Sequence, residues 1–404
     1  MLLSRLWEQA VLGLGAMLLA RQLGIDQFAP VSVLLIVNSL SVTLADFGLG
    51  ADVIRQGSGQ SGSLEDLRAV RLRNGAGALA GVLAGWIIGG DGGLVLALSA
   101  GVWAAAAESS IRRASALRLR SERSVMIAEL AGSTTLVGFI VAGSVSTSRG
   151  VALVGCGLIL KSVLEAALLP GWRAAFAHVE GNRDRRPLWV AQAVAYTIAN
   201  LDFLILGLLQ PKAVFAVYTL AFRLASAVPS QLAYVVGRIS SVDLAEAVGS
   251  ERQAPYVAYT RMLFTAGVVG ALATAAIAPA LPWALGDDWD SIPWLVVALS
   301  CAIPWRMAIG VAGTLAMVEH RSSELLRIEL VHLVVVGLAY SAGAAIGLAA
   351  FVGIVVVSTV AATVVYHLRC TQLSSLTAWR PLVPLGIATL VAIAVIAPQV
   401  VVPT

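Results

Sequence analysis

The chain has 404 residues, of which 58% are hydrophobic and only 12% charged, with mean hydropathy +0.87. A soluble domain carries about twice that charged fraction, so a large water-soluble enzyme is excluded and a polytopic membrane protein is indicated. The cysteines Cys156, Cys301 and Cys370 are scattered with no CxxC pair, which gives no disulfide framework and no zinc site.

Apolar runs of roughly 17–25 residues predict thirteen helices. They lie near 2–20, 28–50, 74–90, 93–111, 125–143, 150–170, 188–209, 212–237, 259–284, 293–318, 328–346, 349–368 and 382–399. The first contains Glu8 and leads into no soluble domain, so it reads as a retained span rather than a signal peptide. The eleventh and twelfth form one oily stretch too long for a single span, which divides near Gly347. The thirteenth is either a span or an interfacial helix.

Most of the 27 Lys and Arg fall on one side if the N-terminus is cytoplasmic. The inside loops hold Arg55, Arg68, Arg71 and Arg73, then "RRASALRLRSER" (112–123) and "GNRDRRP" (181–187); the outside loops hold Arg21, Arg149 and Lys212. That alternation is the positive-inside rule. The basic loops lack the interleaved aromatics of a nucleic-acid platform, so no nucleic-acid partner is expected. The outside loops are short turns, "GGDGG" (89–93), "LQPK" (209–212) and "GDDWDS" (286–291). Trp189, Trp283, Trp289, Trp294 and Trp379 fall at predicted helix ends, as an interfacial aromatic belt requires.

The chain reads as doubled. "LGIDQFAPVSVLL" from Leu23 and "LQPKAVFAVYTLA" from Leu209 are each a short turn, then Phe-Ala (Phe28-Ala29, Phe215-Ala216), then an oily helix. Six spans separate the copies, so the halves share one orientation, related by a pseudo-two-fold along the membrane normal. The fold expected is all-α: a six-helix bundle over 1–172, a cytoplasmic linker over 173–187, a second six-helix bundle over 188–368, and a linker with an extra helix over 369–404.

Charge at membrane depth is the strongest functional signal. An arginine at the bilayer centre costs roughly 2.5–3.5 kcal/mol on insertion scales, and such residues mark functional sites by default. Arg223 lies about 18 Å down its helix from Pro211, and Asp202 about 10 Å down the preceding one from Leu209. The long arginine spans the difference in depth, which predicts an Asp202–Arg223 pair. Arg306 follows Pro304, which interrupts the backbone ladder and frees a carbonyl; broken backbone at depth belongs where protein or a wet cavity surrounds it. Two deep arginines and one acid predict a cationic cavity between the halves, suited to phosphate through the bidentate guanidinium fork. The alternative is structural: Asp202 and Arg223 clamp two helices, and Arg306 bonds a carbonyl. Asn38 and Asn200 are polar groups at depth, read as interhelical glue or ligand contacts. Asp46, Glu108, Glu129, Lys161, Glu165 and Glu329 fall within about two turns of the cytoplasmic face and read as mostly interfacial, with Lys161 and Glu165 spaced to pair on one helix.

The sequence carries no GxxxxGK[ST] loop, no HExxH and no GxSxG, so neither ATP hydrolysis nor a metal or other cofactor is expected. "GSGQSGS" (57–63) lacks the Walker lysine and reads as a flexible loop.

"LLARQLGIDQFAPVSVLLIVNSLSVTLADFGLGADVIRQ" (18–56) resembles the opening of bacterial polysaccharide flippases, through Ala20, Arg21, Leu23, Gly24, Asp26, Phe28, Asp46, Gly48 and Leu49. "NLDFLILG" followed by "VYTLAFRLAS" looks like the same family's seventh and eighth helices, through Asn200, Asp202, Tyr218, Ala221 and Arg223. The family belongs to the multidrug/oligosaccharidyl-lipid/polysaccharide exporter superfamily. The resemblance implies two six-helix bundles in a V and alternating access. It also implies a polyprenyl-diphosphate-linked oligosaccharide as cargo, in a bacterial cytoplasmic membrane, alongside polysaccharide polymerase machinery. Two other readings are a multidrug or small-solute exporter of the same superfamily, and a membrane glycosyltransferase or polymerase. The first would favour an unpaired acid over basic groups. The second typically needs carboxylates and a sizeable outside loop, and the longest here is about nine residues.

Overall fold

A computed structural model describes residues 2–44, 64–118, 121–146, 149–169, 185–247, 249–319 and 321–371. Among them all regular structure is helical, and eight segments are long and apolar enough to cross a membrane. The chain is an all-α, multi-pass membrane protein. Many large apolar side chains point outward, among them Trp86, Ile87, Val145, Leu208, Trp283 and Leu338. Outward apolar residues are costly in water and cost nothing against lipid tails. Two compact units divide the chain, Met1–Tyr196 and Thr197–Thr404.

The first unit contains α1 (Leu2–Leu44), α2 (Leu64–Ile88), α3 (Gly90–Arg118), α4 (Glu122–Val145) and α5 (Gly150–Leu168); α6 (Arg185–Ala199) leads across the boundary. The two predicted spans in α1 are separated by one residue, Gly24, at φ 69° and ψ 176°. Glycine adopts that positive φ without the Cβ clash other residues meet, so the break falls where the sequence supplies one. α1 packs on α3 and α4, and α4 lies along α5. The α4–α5 approach depends on small residues: a Cβ on Gly157 would stand 2.5 Å from Phe139 Cβ. Small residues at helix contacts are the ordinary route to close packing in a bilayer.

The second unit contains α7 (Leu201–Leu209), α8 (Lys212–Glu246), α9 (Gln253–Ile277), α10 (Leu281–Leu285), α11 (Ile292–Ser300), α12 (Ile303–Val318), α13 (Ser322–Ile346) and α14 (Leu348–Thr371). Two predicted spans are broken. The one expected over 188–209 is interrupted at Asn200, between α6 and α7. The one over 293–318 is interrupted at Cys301 and Ala302, between α11 and α12. There the backbone tightens to i→i−3 bonds, Cys301 N to Ala298 O at 3.2 Å and Ala302 N to Leu299 O at 3.1 Å. Pro304 then starts a new helix, since it can donate to no carbonyl behind it. Gly347, at φ 143°, divides α13 from α14 as the sequence predicts. Trp283 is exposed, as a belt residue should be, but Trp289 is fully buried and packs inside the unit. The thirteenth candidate helix, residues 173–184 of the expected 173–187 linker, and Asp46, Gly48 and Leu49 lie outside the described residues.

α8 packs on α9, α11 and α12; α14 packs on α12 and α13; α13 packs on α7. The start of α12 is gripped from both sides. A Cβ on Gly267 of α9 would fall 2.5 Å from Pro304 Cα, so only glycine admits that approach. Trp305 stands edge-on to Phe264, with ring centroids 5.2 Å apart, and its carbonyl accepts from Thr363 Oγ1 of α14 at 3.2 Å. These contacts fix where the next residue, Arg306, emerges.

Candidate functional site

The two broken spans meet at a buried charge. Asp202 sits in the first turn of α7, where the helix N-terminus favours a negative charge, and it is completely buried. Its Oδ1 accepts from the Phe203 backbone N at 3.0 Å. Its Oδ2 accepts from the Tyr218 hydroxyl of α8 at 2.6 Å and lies 3.6 Å from an Arg306 terminal nitrogen of α12. The carboxylate is therefore hydrogen-bonded on both oxygens and faced by a cation, which is how a buried charge is tolerated.

Arg306 is held differently. Its side chain keeps 25% exposure against 1% for Asp202, and 3.6 Å exceeds a good N–H···O separation. The guanidinium lies over the Phe222 ring at 4.7 Å from its centroid, a cation–π distance, and Tyr340 of α13 is a polar neighbour of it. Ser358 Oγ of α14 in turn donates to Tyr340 at 3.3 Å. Edge-to-face contacts of Phe203 with Phe222 at 4.9 Å and of Tyr218 with Phe351 at 5.6 Å complete an aromatic wall. The result is a seated acid behind a partly accessible guanidinium fork, whose donors are not saturated by the acid it faces.

The expected Asp202–Arg223 pair is not what forms; Arg306 is the arginine set against Asp202. Depth explains it. Counting from the Gln210–Pro211 turn, Asp202 and Tyr218 are both about 10–12 Å down their helices and Arg223 about 18 Å. Tyr218, not Arg223, is level with the acid. Arg223 is half-buried on α8, one residue beyond Phe222. Asn200 is half-buried at the break before α7, and its carbonyl accepts from Leu204 N at 3.3 Å. Asn38 belongs to α1 in the other unit; it is buried, and its Oδ1 has no hydrogen-bond partner among the described residues. Tyr340 and Ser358 carried no sequence signal, because nothing in their local pattern distinguishes them from packing residues. The level-depth argument would have found Tyr218.

A second charged centre occupies the first unit. Lys161 of α5 bridges Glu8 of α1 at 2.9 Å and Glu165 at 2.7 Å. Arg113 of α3 reaches Glu165 at 2.8 Å and Glu129 of α4 at 3.4 Å. Ser109 and Ser4 donate to Glu165 and Glu129, each at 2.8 Å. The sequence places Glu129, Lys161 and Glu165 within about two turns of the cytoplasmic face by depth; the structure adds that all three are buried among the helices. A helical-depth count does not register which face of a helix a residue occupies, and theirs is the inner face. Gly132 makes the room: a Cβ there would come within 2.8 Å of Glu165 Cγ and 3.1 Å of the Lys161 carbonyl. Every charge has a counter-charge from another helix, so the network ties α1, α3, α4 and α5 together. Beside it, Glu108 is gripped by Arg71 of α2 and by Arg112.

No family model matches the sequence and no curated protein is significantly similar to it. Solved structures do match. The lipid II flippase MurJ in an inward closed conformation aligns with TM-score 0.66 at 11% identity, over 100% of this chain and 93% of that one. A multidrug resistance MATE family transporter of the MOP superfamily aligns in its outward-facing conformation with TM-score 0.63 at 14% identity, over 93% of this chain and 96% of that one. An inward-facing conformation of such a transporter gives 0.62 at 13%, over 90% and 95%. At these identities the likeness is one of fold, and the chain shares the all-α fold of these proteins.

Proposed function

We propose that the chain is a secondary-type transporter of the bacterial cytoplasmic membrane. It flips a polyprenyl-diphosphate-linked oligosaccharide by alternating access and supplies cell-surface polysaccharide synthesis and its polymerase. The observation that carries this reading is Arg306: a deep arginine whose side chain is 25% exposed and whose terminal nitrogen stands 3.6 Å from Asp202. A planar fork with unused donors recognises a diphosphate bidentately. Asp202 holds the cation in place from behind and neutralises it when no cargo is bound. Arg223 adds a second deep cation on α8, and Asn200 offers an amide for glycan hydroxyls. The N-terminus lies in the cytoplasm, following the basic loops.

A multidrug exporter selecting organic cations would leave its acid accessible. Here the acid is sealed and the cation is what remains exposed, which favours an anionic cargo. Mass spectrometry of polyprenyl-linked sugars after depletion of the protein tests the reading. Complete lipid-linked units accumulating on the inner leaflet are expected. Unfinished units would indicate an enzyme of glycan assembly, and an unchanged pool would point to another cargo.

A further inference from the structure

We infer that a groove between α13 and α14 holds an anionic phospholipid of the surrounding bilayer, its phosphate between Arg327 and Arg369 and one acyl chain lying along the valines below. The groove has a volume of 440 Å³. Its walls are apolar, with Val331, Val335 and Val365 exposed along it, while Arg327 and Arg369 form its mouth, where α13 begins and α14 ends.

Charge at that mouth decides the occupant. Both arginines are exposed. The neighbouring carboxylates are engaged elsewhere: Glu324 is held by Arg321 through Nε at 2.8 Å and through a terminal nitrogen, and Glu319 faces the same arginine at 4.0 Å. Neither Arg327 nor Arg369 forms an ion pair among the described residues, so two unpaired guanidinium groups stand at the mouth; Arg321 is shared by Glu319 and Glu324, and the cluster as a whole is left net positive. A cationic pocket between transmembrane helices on the side of the basic loops is where an anionic headgroup docks. From Arg327 to Val335 is eight residues, about 12 Å along α13, and from Arg369 back to Ala361 is the same along α14. That length accommodates the upper part of an acyl chain. Among the polar side chains lining the groove is His332: its Nδ1 has no hydrogen-bond partner among the described residues, and its ring stands edge-on to Tyr366 at 5.9 Å. It is placed to meet the glycerol ester region below the phosphate. This site is in the second unit and shares only Ser358 with the Asp202–Arg306 network; the two arginines at its mouth take no part in that network, so it stands or falls separately from the cargo assignment.

The test is native mass spectrometry of the full chain, purified in mild detergent and offered equal amounts of phosphatidylglycerol and phosphatidylcholine. The wild type is expected to retain phosphatidylglycerol preferentially. The double variant Arg327→Gln/Arg369→Gln is expected to retain it about 30-fold less well. Equal retention of the two lipids by the wild type, or undiminished preference in the variant, overturns the inference. A third arm adds polyprenyl phosphate, and its displacing phosphatidylglycerol from the wild type would assign the groove to the cargo's tail instead. Should the double variant not purify, the wild-type competition alone decides.

Discussion

Replacing Arg306 with methionine keeps the volume near that of the original side chain and removes the cation set against Asp202 among the described residues. At an effective dielectric of about 20, two unit charges 3.6 Å apart attract by about 4–5 kcal/mol. Removing one partner of a buried pair costs about 3–5 kcal/mol, because the other charge stays behind without compensation. Asp202 has no route to water, being fully buried, so Arg306→Met should lose close to that amount. The reverse change is milder. Asp202→Asn keeps an oxygen for the Tyr218 hydroxyl, and Arg306 with its 25% exposure can turn towards solvent, so a loss of about 1–3 kcal/mol is expected. The double variant Asp202→Asn/Arg306→Met should be more stable than Arg306→Met alone. Detergent-titrated unfolding of the purified protein, followed by tryptophan fluorescence, measures all four corners of the cycle. Strict additivity of the two single losses, or an Arg306→Met protein within about 0.5 kcal/mol of wild type, would refute the buried-pair account.

Three further outcomes follow from the packing. Lys161→Met leaves Glu8 and Glu165 facing each other without their shared cation and should cost about 3–5 kcal/mol, with part of it recovered by adding Glu165→Gln in the same unfolding assay. Gly132→Leu drives a side chain into Glu165 and the Lys161 carbonyl and should cost at least the 1–3 kcal/mol typical of overpacking, seen as a lower unfolding midpoint. Gly267→Ala places its methyl carbon 2.5 Å from Pro304 Cα; backbone must move, so a loss of about 1–3 kcal/mol should be joined by reduced transport, because α12 carries Arg306.

The elements most legible in the sequence are those with a local chemical cause. Gly24 divides α1 and Gly347 divides α13 from α14 because a positive φ is needed there, and Pro304 marks the α11–α12 break because it lacks an amide proton. The Asn200 break has no comparable signal, since a neutral asparagine in an apolar run reads as part of one helix. At the site, Asp202 and Arg306 are conspicuous as charges in oil, but their pairing is not legible: it joins α7 to α12, more than a hundred residues apart in the chain. Arg223 looked the better partner because it is near in sequence and on the adjacent helix. Lys161 and Glu165 were legible as a pair from their spacing of four. Their burial was not, because it depends on Glu8, Arg113 and Gly132 arriving from three other helices.

The most direct test of the central claim is flipping of a polyprenyl-diphosphate-linked oligosaccharide in proteoliposomes by Arg306→Lys. Lysine keeps the positive charge that Asp202 faces and gives up the planar fork, so the protein should fold with near wild-type stability. Losing one charge-assisted hydrogen bond to the diphosphate should slow flipping by about tenfold or more. A stable Arg306→Lys protein that flips the substrate at the wild-type rate would contradict the account.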